Sequence, residues 1–149
     1  MGSSAADAAH AAMTAVAHAH AAAEARGDLA GTLGTLDDVP VFEFQPCARV
    51  LRGKDAVRRY YEHFFAEFLP RTVGFSVRSE WSTPEGLGQE YTLRLRLPDG
   101  GIGEFGIIGI LLFGVEGLAG ERIYAADALL ELMLGPVFAE TEPLPVGGL

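Results

Sequence analysis

Hydrophobic and polar positions change their period several times along this chain, and each change marks an element. Residues 5–26 are dominated by alanine, the best helix former, and the bulkier Met13, Val16 and His20 recur at spacings of three and four on one helical face. Gly27 ends that helix, and Asp28 caps a short second one over residues 29–36, with Leu29, Leu33 and Leu36 as its apolar members and Asp37-Asp38 closing it. Residues 39–44 alternate with period two, a short strand with Pro40 at its start or on an edge. Two sets compete for its inward face, Val41 with Glu43 and Phe42 with Phe44. Beyond Asp55, the residues Val57, Tyr60, Tyr61, Phe64, Phe65 and Phe68 form an aromatic stripe at helical spacing, stopped by Pro70.

Four strands follow. Residues 73–81 alternate, with Val73, Phe75, Val77 and Trp81 on one side and Arg78 and Glu80 on the other. Residues 89–97 set Gln89, Tyr91, Leu93, Leu95 and Leu97 against Glu90, Thr92, Arg94 and Arg96. A Pro98-Asp99-Gly100-Gly101 turn leads into residues 103–115, and residues 121–126 form the last strand. A short helix over residues 128–134 ends at Gly135-Pro136. Helices at one end of the chain and strands at the other predict an α+β domain, its helices packed on one face of a curved sheet. Residues 5–138 form the single domain in this reading, and residues 139–149 a loose tail. In the strand over residues 105–113 both faces are apolar, Ile108, Ile110 and Leu112 on one and Phe105, Ile107, Leu111 and Phe113 on the other. The helices cover one face only, so a homodimer joined sheet to sheet is expected.

The 149 residues suit one domain, and 49% hydrophobic content with 21% charged residues supports a packed core rather than disorder. A net charge of -9 argues against nucleic acid or an anionic membrane surface as partner. Cys47, the single cysteine, excludes an intrachain disulfide and any cysteine-rich zinc module. With neither a secretory signal nor a membrane-length apolar run, a cytoplasmic location is expected.

Three stretches carry a resemblance. Gly27-Asp28-Leu29, then Leu36-Asp37-Asp38-Val39-Pro40-Val41-Phe42-Glu43, then Arg52-Gly53-Lys54-Asp55-Ala56-Val57 resemble the opening of the nuclear-transport-factor-2-like superfamily, which includes SnoaL-like polyketide cyclases, ketosteroid isomerases and limonene-epoxide-hydrolase-like enzymes. The ending, Glu121 to Gly135, is most similar to the SnoaL-like branch. The resemblance implies a cone, with a bent antiparallel sheet wrapped on the long helices and an apolar pocket open at one end.

It also implies roles. Asp127 matches the acid/base aspartate of SnoaL-like cyclases, although an aspartate before a helix also reads as its N-cap. Glu43 falls where ketosteroid isomerases carry their general base, with a solvated strand carboxylate as the plainer reading. His20 stands close to their oxyanion-stabilising tyrosine, or is a satisfied core histidine. The position where those isomerases hold a protonated acid falls near Gly109, where no acid is available, and the limonene-epoxide-hydrolase arrangement is incomplete. Gln89, Tyr91, Tyr124, Tyr61, Phe65 and Trp81 are the candidate substrate contacts. His18 and His20 do not share a helical face, so no metal site is expected, and no cofactor. The expectation is a cofactor-free SnoaL-like enzyme, with Asp127, His20 and Glu43 transferring protons on an apolar oxygenated ligand such as a polyketide. A non-catalytic ligand-binding or dimerisation module is the alternative.

Overall fold

The structure is a computed structural model that describes residues 4–145. Helix α1 (Ala5–Ala25) opens on a capping box, in which Ser4 and Asp7 satisfy each other's backbone N–H groups. Helix α2 (Leu29–Gly34) starts at Asp28, whose carboxylate accepts from the Gly31 N–H at 2.8 Å. Strand β1 (Leu36–Gln45) begins earlier than its alternation alone predicts, because Asp37-Asp38 extend the strand instead of closing the helix. A short strand β2 (Arg49–Arg52), which the sequence pattern did not reveal, folds back on β1 and leads into α3 (Lys54–His63).

The aromatic stripe does not stay α-helical. Residues 64–68 continue α3 as a π-turn, and residues 69–71 close as a 3-10 turn containing Pro70. Strands β3 (Thr72–Thr83), β4 (Gly86–Arg96), β5 (Ile102–Phe113) and β6 (Leu118–Tyr124) then form the expected meander. Helix α4 (Asp127–Leu134) and a 3-10 turn over residues 135–140 follow. The predicted loose tail is in part ordered, since β7 (Glu142–Pro143) pairs with Val50 and Arg49 of β2. The last four residues of that predicted tail, 146–149, lie outside the described residues.

The seven strands form one curved sheet in the order β3-β4-β5-β6-β1-β2-β7, antiparallel except where β1 runs parallel to β6. Gly120 allows this parallel pair to close: its φ is +149°, and a Cβ there would strike the Val41 carbonyl. The helices pack on the inner face. Phe42, Phe44, Tyr60, Tyr61, Leu95, Leu118, Leu129, Leu130 and Leu134 are all fully buried between them. The architecture is the expected α+β cone. Among the described residues, no helix is long and apolar enough to cross a membrane.

Candidate active site

Where α1 and the π-turn meet the sheet, the packing leaves a cavity of about 230 Å³, somewhat smaller than the roughly 300–1,000 Å³ of typical ligand pockets. One wall is α1, with His20, Ala21, Glu24 and Ala25; the π-turn and its continuation supply Phe64, Phe68 and Leu69. The π-turn aligns Phe64 and Phe68, their ring centroids 4.8 Å apart, so that both reach the same space. Phe75, Gln89, Tyr91, Ile107, Leu111 and Glu121 of β3 to β6 form the floor. No lysine or arginine lines the cavity among the described residues.

Two glutamates and a histidine gather at one side. The ligand atoms of His20, Glu24 and Glu121 lie within 4.8 Å of one another. His20 and Glu24 stand one helical turn apart on α1, with Nε2 and Oε2 separated by 3.5 Å. The Tyr61 hydroxyl, from α3, donates to Glu24 Oε2 at 3.0 Å and sits 3.1 Å from His20 Nε2. The other ring nitrogen, Nδ1, lies 2.7 Å from the Thr35 hydroxyl, which donates to the Thr32 carbonyl at 2.7 Å. Burial keeps the Tyr61 hydroxyl protonated well above its ordinary 10.0, and the charges of Glu24 and Glu121 add to that effect. Because Nε2 and Oε2 are already bridged by this phenol, the cluster is a hydrogen-bonded network, in which an ion would have to displace Tyr61.

Glu121 differs from Glu24. Its carboxyl faces the cavity and has no hydrogen-bond partner among the described residues. Burial pushes its proton affinity well above the ordinary 4.5 of a glutamate, and the neighbouring Glu24 charge pushes the same way. Glu121 therefore holds its proton more tightly than a glutamate in water does. Its Oε1 lies 3.0 Å from the point where a Gly109 Cβ would stand, so the missing side chain on β5 leaves room for an acid reaching across from β6.

Most of the residues singled out from the sequence are elsewhere. His20 (1% exposed), Gln89 and Tyr91 line the cavity or its network, and Tyr61 reaches the network through its hydroxyl. Gln89 donates to Glu80 at 2.8 Å, and Glu80 also meets His18 of α1 at 2.7 Å, which ties α1 to the sheet beside the cavity. Phe65 stacks on Tyr61 from behind at 5.4 Å and does not line the space.

Asp127, expected as the acid/base, is exposed at the first turn of α4, away from the cavity, and makes no capping bond. Glu43 points to the outer face, 3.3 Å from Arg122, because Phe42 and Phe44 take the inner side of β1. Tyr124 follows the same outward parity and is 43% exposed. Trp81 lies outside as well. A bulge between Val77 and Ser79 shifts the register, turning Glu80 inward and leaving Trp81 over Gly88 on the outer face. Asp127, His20 and Glu43 thus share no site.

The two acids that do converge with His20 were not among the candidates. Each left a trace: Glu24 is at i+4 from His20, and Glu121 is in phase with the inward Ile123.

No protein-family model matches this chain, and no curated protein is similar to it. Solved structures, however, share its fold. An NTF2-like protein from Cytophaga hutchinsonii superposes with a TM-score of 0.65 at 14% identity, over 76% of this chain and 99% of its own. A steroid delta-isomerase from Pseudomonas aeruginosa matches with a TM-score of 0.65 at 19% identity, over 86% of this chain and 92% of its own. An NTF2-like protein from Burkholderia xenovorans gives 0.59 at 20% identity, covering 77% and 83% respectively. At these identities the likeness is one of fold.

Proposed function

We propose that this chain, whose fold is that of the NTF2-like proteins, is a cofactor-free isomerase-type enzyme that moves a proton next to a carbonyl. Its substrate is a compact, apolar, oxygenated molecule of the polyketide kind. The observation that carries this reading is the pair of unlike carboxyl groups in one apolar cavity: Glu121, whose proton affinity burial and the Glu24 charge raise well above that of an ordinary glutamate, and Glu24, which accepts from Tyr61. In the proposed step Glu24 takes a proton from the carbon beside the carbonyl. The C–H electron pair moves into a new C=C bond, and the carbonyl oxygen gains the negative charge while accepting a hydrogen bond from Glu121. Glu24 then returns the same proton at another carbon, so no external oxidant, reductant or proton is consumed. A cyclisation or dehydration would begin from the same enolate. The apolar walls strengthen both interactions by excluding water.

A β,γ-unsaturated cyclic ketone that fits the cavity tests the reading, because its conjugation is followed by ultraviolet absorbance. Glu24→Gln should lower turnover by roughly 10²–10⁴-fold. Glu121→Gln retains an N–H donor and should cost less than Glu121→Leu. Asp127→Asn should leave turnover unchanged. Equal turnover in Glu24→Gln and the parent would remove the assignment. Saturable ketone binding without conjugation in any variant would favour the ligand-binding module instead.

We further propose that two copies pair through the outer face of the sheet. Trp81, Ile108 and Tyr124 are each more than a third exposed there. Arg78–Glu90, Arg94–Glu104 and Arg122–Glu43 pair on the same face at 3.2, 3.1 and 3.3 Å, so these six charges cancel there in a chain of net charge -9. A patch of charges of alternating sign can be self-complementary under a twofold axis.

A further inference from the structure

The hydrogen bonds around His20 can be counted proton by proton, and the count has one free choice. The Thr32 carbonyl can only accept, so the Thr35 hydroxyl spends its single proton there, at 2.7 Å. Thr35 Oγ1, 2.7 Å from His20 Nδ1, must then accept, and Nδ1 must carry hydrogen. On the other side of the ring, two gaps remain: Nε2 to the Tyr61 hydroxyl at 3.1 Å, and that hydroxyl to Glu24 Oε2 at 3.0 Å. Each gap takes one proton, and Tyr61 supplies only one. The second is either on Nε2, with Glu24 ionised, or on Glu24, with His20 neutral. The two arrangements contain the same atoms and differ by one proton moving one place in each gap.

We propose that Thr35 is a positioning residue for the site and that His20, Tyr61 and Glu24 form a relay sharing one extra proton, which leaves the group without net charge in both arrangements. This deepens the acid/base reading above and rests on it for the role of Glu24. With the proton on His20, Glu24 is the base, and the imidazolium stays to balance the enolate once Glu24 has taken the substrate proton. With the proton on Glu24, the base is switched off. Thr35 selects the tautomer that makes this possible, because an Nε2–H ring with bare Nδ1 would leave the Thr35 oxygen facing a lone pair. Besides Tyr61 from α3 and Glu24 on its own helix, the titratable group that faces His20 is Glu121 of β6. Thr35 itself sits between α2 and β1, held by a hydrogen bond from the Leu118 N–H to its carbonyl at 2.8 Å, so its side chain is free to serve the ring.

Nitrogen-15 NMR of the histidine rings in the full-length protein tests this without a substrate. In the parent, His20 Nδ1 should carry hydrogen, and the Nε2 signal should report which end of the relay holds the second proton. Thr35→Val, which keeps the shape and removes the acceptor, should abolish that pattern, and Thr35→Ser should restore it. Tyr61→Phe is the second variant: Nδ1 should stay protonated while the Nε2 signal loses its hydrogen-bonded position. In the ketone assay, Thr35→Val should displace the pH profile of kcat and leave KM within about twofold. A parent His20 with bare Nδ1, or identical ring signals in the parent and Thr35→Val, would overturn the proposal. The expected NMR pattern without ketone turnover would leave the relay standing and remove the enzymatic reading.

Discussion

Glu121 stores its proton because the chain buries it beside Glu24, and this has a cost that depends on pH. An unfolded chain releases that proton near the ordinary 4.5, whereas the folded protein holds it to a much higher pH. Over that interval the folded state binds more protons, so stability falls as pH rises from about 4.5 and levels off beyond the folded value. Glu121→Gln removes the ionisable group and retains the shape. Its melting temperature should be close to the parent's in acid and exceed it increasingly as pH rises above about 4.5, as read by thermal melts at matched ionic strength. A constant difference at all pH values would mean that burial does not raise the proton affinity of Glu121. Residue types at this scale were readable in part. His20 stood out because a histidine among alanines, in phase with Met13 and Val16, has few places to go but inward. Asp127 reads as functional because it is an acid at a strand-to-helix junction, and here that junction lies at the surface, outside the cavity.

Elements show a sharper division. Long periodic stretches declared themselves, and α1, α3 and β3 to β6 lie within a few residues of where hydrophobic spacing puts them. Side-chain direction along a strand is more fragile. A single bulge in β3 reverses every residue after it, which turned Trp81 out and Glu80 in. Strand β2 is only four residues long and lacks alternation strong enough to be seen. The link between α2 and the sheet is another device that spacing does not show. Asp37 accepts from the N–H groups of Val115, Glu116 and Gly117 at 2.9, 3.1 and 2.6 Å, clamping the β5–β6 turn. Burial alone would raise its proton affinity, but these three bonds outweigh it and hold the carboxyl below the ordinary 3.8. The clamp therefore contributes its stability above about 3.8 and loses it as pH falls through the lower folded value. Asp37→Ala should cost about 2 kcal/mol at neutral pH in urea titrations, with the difference shrinking in strong acid.

For the whole molecule, the expected curved sheet with helices on one face is present, and it creates both a cavity inside and an outer face on which Trp81, Ile108 and Tyr124 stand among paired charges. Light scattering should give twice the chain mass for the parent. Ile108→Asp, which puts a charge at the centre of the outer face, should give a single chain mass while ketone binding inside persists. A monomeric parent at micromolar concentration would dismiss the paired arrangement. Periodicity, capping and turn chemistry act between residues close in the chain, so the order of elements, the α+β class and the aromatic stripe could all be read in advance. The meeting of Glu24 with Glu121, the vacancy at Gly109 that admits an acid from the next strand, and the Tyr61 bridge join residues up to about a hundred positions apart. Such contacts depend on register, bulges and helix rotation accumulated over several elements, and a shift of one residue in any of them would reverse the face involved.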